Sequence, residues 1–242
     1  MKDTVLFDLG GTLVDYYTRA EFPALLGRCI AQVRDFLRRC RLLRLDPEAL
    51  AEHVTAEDYE DPAGRVRPLE DRLVRIFEID EAIHPPELVQ EMCRRFLGPI
   101  FALAKVHDDA APTLRGLRSE GYRTALVSNT PWGSPADLWR EEVRRLGLEG
   151  LFDAEVFCRN AGWRKPAPEV FRFAMRVLEA RPEQCLFVGD DPRWDLAGPR
   201  GVGMDAVLID RAHRQPPAED VIHGLKGIWT KLHPSRDAPA EE

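Results

Sequence analysis

This chain predicts an α/β fold, a parallel sheet covered by helices on both faces, with an all-helical domain inserted after the first strand. Three observations carry that expectation. A short β-branched and aromatic run, Thr4-Val5-Leu6-Phe7, ends in Gly10-Gly11 and has no room for helical periodicity. From residue 18 to residue 98 the apolar positions recur at helical spacing instead. After Gly98-Pro99, strand-like runs alternate with helical ones, the pattern that produces parallel strands joined by crossover helices.

Taken in order, the first strand precedes a long amphipathic helix with Phe22, Leu25, Leu26, Cys29, Val33, Phe36, Leu37 and Cys40 on one face. Asp46-Pro47 is a helix-start pair, Leu69, Leu73, Ile76 and Phe77 share a face, and Pro85-Pro86 opens a stripe from Leu88 to Leu97. Beyond residue 98 come a helix carrying Leu114 and Leu117, a strand at Arg123–Val127, a helix started by Ser134-Pro135 and a strand at Ala154–Phe157. A helix at Ala167–Leu178, a strand at Cys185–Val188, a short helix at Trp194–Ala197 and a strand at Ala206–Ile209 follow. The stretch after Pro216 reads as a peripheral extension with a frayed acidic tail.

With 242 residues, 44% hydrophobic and 31% charged, the chain has the composition of an ordinary globular protein of one large domain, or one and a half. That composition excludes fibrous and disordered classes. No run approaches the ~20 apolar residues of a membrane span, and Asp8 interrupts any signal-peptide core, so the expectation is a cytoplasmic protein with no membrane partner. The net charge of −7, without a basic block, argues against nucleic acid as a partner. Five cysteines without C-x-x-C spacing suggest buried free thiols rather than disulfides or zinc.

In an open parallel sheet, ligands bind beyond the carboxyl ends of the strands. There the sequence gathers Asp8 with Gly10-Gly11-Thr12, then Ser128-Asn129, Lys165-Pro166, and Gly189-Asp190-Asp191 with Asp195 one turn on. Several carboxylates without histidine or cysteine suit a hard, oxygen-ligated cation such as Mg²⁺, which commonly works with a phosphate.

The segments Phe7–Leu13, Leu126–Asn129, Lys165–Phe171 and Val188–Asp195 resemble, in order, the four motifs of the haloacid dehalogenase superfamily. The helical block resembles that family's α-helical cap of the first type. The resemblance implies a Rossmann-like core (1–17 and 99–215), a helical cap (18–98) and a C-terminal extension (216–242). It implies a Mg²⁺-dependent hydrolase that cleaves the phosphate ester of a small phosphorylated metabolite through an aspartyl-phosphate intermediate.

In that scheme Asp8 is the nucleophile, Ser128 and the amide of Asn129 hold phosphoryl oxygens, and Lys165 offsets charge on phosphate and nucleophile. Thr12 joins them at the substrate. Asp8, the Gly10 carbonyl, Asp190 and Asp195 would hold the metal, with the division among Asp190, Asp191 and Asp195 left open. Specificity would come from the cap and the segment joining it to the first motif, where Tyr16, Tyr17 and Arg19 lie; Trp132 and Trp163 are further rim candidates.

One position departs from the pattern. Hydrolytic members usually carry an aspartate where this chain has Gly10, and losing such an acid/base typically costs ~10²–10⁴-fold in rate. Branches lacking it include haloacid and phosphonate hydrolases as well as some phosphatases. Haloacid enzymes work without Mg²⁺, against the retained Asp190 and Asp195. The phosphonate enzymes use a cap lysine, and no lysine occurs between Thr18 and Gly98. A catalytically weak member that only binds a phosphorylated ligand is the remaining alternative.

Overall fold

The computed structural model describes residues 2–233 apart from Glu81, His84 and Pro217. The tail at 238–242, expected to be frayed, lies outside the described residues.

The chain opens on strand β1 (Thr4–Phe7), turns tightly, and runs through β2 (Val14–Asp15) into helices α1 (Phe22–Arg39), α2 (Pro47–Glu57), α3 (Leu69–Phe77) and α4 (Pro86–Phe101). It returns through β3 (Lys105–Val106) to α5 (Ala110–Ser119), β4 (Arg123–Ser128), α6 (Ala136–Arg145), β5 (Ala154–Phe157), α7 (Cys158–Ala161) and α8 (Pro168–Leu178). Strand β6 (Cys185–Gly189), a π-helical turn at Pro192–Ala197, α9 (Gly198–Arg200), β7 (Asp205–Ile209), β8 (Val221–Ile222) and α10 (Ile228–Leu232) complete it.

Six strands form one sheet in the order β5-β4-β1-β6-β7-β8, with every pairing parallel. Counted along the chain within the sheet this is 3-2-1-4-5-6, the doubly wound order. Successive strand residues face opposite sides, so one strand feeds two cores. Val5 and Phe7 of β1, with Leu186 and Val188 of β6, pack with Leu114 and Leu117 of α5. Leu6 and Phe187 point the other way, onto Val170, Phe171 and Ala174 of α8. Burial on both faces explains why these strands read as unbroken apolar runs rather than as alternating ones.

Helix α1 packs along α4, Leu25, Cys29 and Val33 meeting the stripe of Met92, Cys93 and Phe96. Asp46 caps α2, its Oδ1 accepting from the amides of Glu48 and Ala49 at 3.0 and 2.9 Å. Two features differ from expectation. Gly98-Pro99, expected to end the helical block, lies inside α4, because its neighbours Leu97 and Ile100 are fully buried and packing outweighs the one backbone hydrogen bond that proline forgoes. The stretch from 216, expected to be peripheral, adds β8 to the sheet edge, and Leu225 and Ile228 are fully buried in the main core.

Two chain crossings connect the helical block to the sheet, and they pair with each other. Strands β2 and β3 are antiparallel, Val14 opposite Val106 and Asp15 opposite Lys105. A second contact docks the block onto the sheet domain: Val66 N–H donates to the Gly162 carbonyl at 3.0 Å, and Arg164 N–H to that of Gly64 at 2.8 Å. No helix among the described residues is long and apolar enough to cross a membrane.

Candidate active site

Asp8 leaves the end of β1 with its amide donating to Val188 of β6 at 3.0 Å, and Asp190 leaves the end of β6. These two strands flank the point where the strand order reverses, which is where doubly wound sheets bind ligands. The turn after Asp8 closes by hydrogen bonds from Leu13 and Val14 to the Leu9 carbonyl, both 2.9 Å. Gly11 sits there at φ +77, and a Cβ on it would overlap the Asp190 carboxylate, so both conformation and space require glycine. Gly189 is needed for space alone: a Cβ there would overlap Asp195.

Lys165 is fully buried between two carboxylates, its Nζ 2.9 Å from Asp8 Oδ1 and 2.6 Å from Asp195 Oδ1. Burial disfavours its charge, but Asp195 and Asp8 outweigh that and hold its pKa above the ordinary lysine range. Asp8, Asp190 and Asp195 each place a carboxylate oxygen within 4.8 Å of the others. Burial first, then the charges of Asp8 and Asp195, push Asp190 up to about 7. Burial also raises Asp195 in spite of the Lys165 ammonium, and Asp8 adds to it. Three crowded carboxylates offset by one lysine are a donor set that suits a hard cation.

The neighbours of this cluster hold one another in place. Asp191 Oδ1 accepts from the amides of Arg193 and Trp194, both at 2.9 Å, capping the turn that delivers Asp195, and its Oδ2 pairs with Arg19 at 3.1 Å. Asp191 is thereby held in the turn, its own amide donating to Asp195 Oδ2 at 3.1 Å, and it is Asp190 that stands with Asp8 and Asp195 in the carboxylate cluster. Arg19, expected at the substrate, lines the cavity, pairs with Asp191 and lies over the Trp194 ring, 4.8 Å from its centroid. Asn129 uses its side chain to clamp the Lys165 backbone, Nδ2 donating to the Lys165 carbonyl at 3.1 Å and Oδ1 accepting from its amide at 2.8 Å. Ser128 is buried on the cavity wall, its Oγ donating to the Asn129 carbonyl at 3.3 Å.

Thr12 does not join the expected substrate contacts. It is fully buried behind the turn, its hydroxyl without a hydrogen-bond partner among the described residues, and its carbonyl accepts from Arg211 Nη2 at 2.8 Å. The turn's own hydrogen bonds direct residue 12 into the core. Trp163 likewise stands off the cavity, with the Arg65 guanidinium 5.0 Å over its ring.

A cavity of about 580 Å³ opens over Asp8 and Asp190 and is roofed by the helical block. Tyr16, Tyr17 and Trp132 line it as the sequence suggested; burial raises the pKa of both tyrosines, keeping them protonated at neutral pH. Sequence reasoning missed the loop after α2, which contributes Asp58, Tyr59 and Glu60, and missed Arg164 on the facing wall. Its only signal was an aromatic between two acids in a segment of no helical period. It also missed Arg72, fully buried under that loop, with Nη1 donating to the Glu57 carbonyl at 2.6 Å and Nη2 pairing with Glu60 at 3.1 Å.

The sequence pattern that describes haloacid dehalogenase-like hydrolases matches residues 2–203, spanning every motif of this site. The chain belongs to that family. Among curated relatives, glyceraldehyde 3-phosphate phosphatase of Methanothermobacter thermautotrophicus is 34% identical over 110 residues, 46% of this chain. The chain spans about half of that relative, 47% of its length. Phosphoserine phosphatase of Thermus thermophilus is 31% identical over 172 residues, 71% of this chain and 67% of the relative. The solved 2-haloacid dehalogenase of Pseudomonas syringae pv. Tomato DC3000 superimposes with a TM-score of 0.67 at 23% identity, covering 97% of this chain and 99% of that one. At that identity the likeness establishes the fold and not the bond that is cleaved.

Proposed function

We propose that this haloacid dehalogenase-like hydrolase is a Mg²⁺-dependent phosphatase acting in the cytoplasm on a small phosphorylated metabolite. The observation that carries this reading is the buried cluster of Asp8, Asp190 and Asp195 around Lys165 at the floor of the cavity. Curated relatives named as phosphatases support it. A bound Mg²⁺ would supply charge neutralisation for the phosphate and the attacking carboxylate. Asp8, Asp190 and Asp195 are the residues that would hold it, with the Gly10 carbonyl beside them.

The chain's own residues account for the rest. Asp8 attacks phosphorus and the P–O bond to the alcohol breaks, the leaving alkoxide taking its proton from water because Gly10 offers none; a second water then attacks the aspartyl phosphate, releasing phosphate and a proton to solvent and restoring the Asp8 carboxylate. Lys165 holds the Asp8 carboxylate in place and offsets the negative charge that builds up between it and the phosphoryl group. Asn129 fixes Lys165 through its backbone, and Ser128 offers a hydroxyl at the phosphoryl position. The haloacid alternative leaves Asp190 without a task, and the phosphonate alternative lacks its lysine.

The direct test is phosphate release from a panel of monoesters with Mg²⁺ and with excess chelator. Asp190→Ala is expected to weaken Mg²⁺ binding tenfold or more by calorimetry while the chain stays folded, since the change removes an acceptor and a crowded charge together. Unchanged Mg²⁺ affinity would remove Asp190 from the metal site.

A pH dependence follows from the raised Asp190. Its folded pKa of about 7 exceeds the ordinary value, so the stability it contributes is complete below about pH 3.9 and is lost as pH rises through about 7. Without divalent cation, Tm is expected to fall by several degrees over that window. Saturating Mg²⁺, or Asp190→Asn, should flatten the profile, and a chelated wild type with a flat profile would contradict the crowding.

A further inference from the structure

From the wall of this cavity we infer that the phosphate ester this chain hydrolyses has an alcohol half with a planar aromatic group and no second anionic group, as in a nucleoside monophosphate or an arylalkyl phosphate. The inference rests on the phosphatase reading above and narrows it. Its first support is the aromatic lining. Tyr59, in the loop after α2, is 55% exposed although the Arg67 guanidinium lies 3.5 Å over its ring. One face is thus backed by a cation, which Glu57 pairs in turn, and the half-exposed ring is among the residues lining the cavity. Tyr17 also lines the cavity and is stacked on Phe22 with centroids 5.4 Å apart, while Trp132, flanked by Phe96 at 5.6 Å and Arg72 at 5.0 Å, is 3% exposed and backs the wall. Tyr59 and Tyr17 are thus braced before any ligand arrives, so stacking on them costs little conformational entropy.

The second support is charge. The arginines that line the cavity are ion-paired, Arg19 with Asp191 at 74% side-chain exposure and Arg164 with Glu60 at 3.6 Å and the Thr130 carbonyl at 3.1 Å, while Lys165 beneath them lies between Asp8 and Asp195. The loop carrying Tyr59 adds the acids Asp58 and Glu60 on either side of it. A leaving group with its own carboxylate or second phosphate would lie beside Asp58 and have to compete with Asp191 or Glu60 for these arginines, so desolvating it there would be unfavourable. A neutral heterocycle with exocyclic amines would stack on the rings and donate to the acids. The volume of about 580 Å³ is that of pockets that enclose drug-sized ligands.

The test compares kcat/KM of the full chain with Mg²⁺ for adenosine 5′-monophosphate and benzyl phosphate against glycerol phosphate and phosphoglycolate. All four have alkyl leaving groups, so intrinsic reactivity does not decide the ranking. The aromatic esters are expected to exceed the other two by tenfold or more, the order of one stacking contact. Tyr59→Ala should reduce that preference about tenfold, mainly through KM, and Tyr59→Phe should retain it. Phosphoglycolate or glycerol phosphate turned over as well as the aromatic esters, or an unchanged preference in Tyr59→Ala, overturns the inference while leaving the phosphatase reading intact. If no ester is hydrolysed, that reading fails instead. Calorimetry of adenosine 5′-monophosphate against phosphoglycolate on the same protein then decides the inference, tighter binding of phosphoglycolate overturning it.

Discussion

Asp8→Asn is expected to lower turnover by ~10⁴-fold or more, because an amide oxygen is no useful nucleophile toward phosphorus at neutral pH. The surroundings of Asp8 indicate that the variant will fold. Its backbone tie to Val188 does not involve the side chain, and Lys165 keeps Asp195 at 2.6 Å, so the buried ammonium is still compensated. Removing one of three crowded carboxylates also relieves Asp190, whose raised pKa should move back toward the ordinary aspartate range. Rapid-quench experiments should trap a phosphoryl-enzyme in the wild type and none in the variant, with Tm shifted by only a few degrees. A folded Asp8→Asn protein with wild-type turnover would exclude covalent catalysis by this residue.

Gly10→Asp is expected to act in the opposite direction, raising turnover of an alkyl phosphate by up to ~10²-fold. The structure removes the main objection to this substitution. Gly10 lies outside the left-handed region, and a Cβ on it would meet Tyr16 Cδ2 at 3.8 Å, an ordinary contact, in contrast to the overlap at Gly11. A carboxyl at position 10 would enter beside Asp8 and Asp190, where neighbouring negative charge keeps it protonated to higher pH, as a general acid needs. The backbone carbonyl proposed for the metal is retained. The measurement compares the variant with wild type on an alkyl phosphate and on an activated aryl phosphate, whose good leaving group needs no proton. A gain confined to the alkyl ester supports the missing acid. No gain on either, with the fold intact, would mean that another group donates the proton or that protonation is not rate-limiting.

The sequence by itself determined the sheet strands β1, β4, β5, β6 and β7, the helices between them, and the place of each motif after a strand. Those features are local: apolar periodicity and turn residues act over a few positions, and burial of β1 on both faces shows directly as an unbroken apolar run. It also singled out Asp8, Lys165, Asp190 and Asp195, because strands aligned in parallel carry the residues that follow them to one edge. Only the tertiary structure decided which side chains were free to act. Arg19 and Asp191 are 172 residues apart, and their pairing at the cavity edge, together with the cap that Asp191 makes, could not be read from either segment alone. The Asn129 clamp on Lys165 spans 36 residues, and the carbonyl of Thr12 is held by Arg211, 199 residues away. The Asp58–Glu60 wall has no periodic signature, since a loop takes its conformation from what it packs on, here the buried Arg72. Strand β8 is two residues long, too short for a pattern, and forms because β7 offers it an open edge. Hydrogen bonds and ion pairs between distant segments depend on chain closure that no short window contains, which is why the chemistry was legible as a set of residues and its division of labour was not.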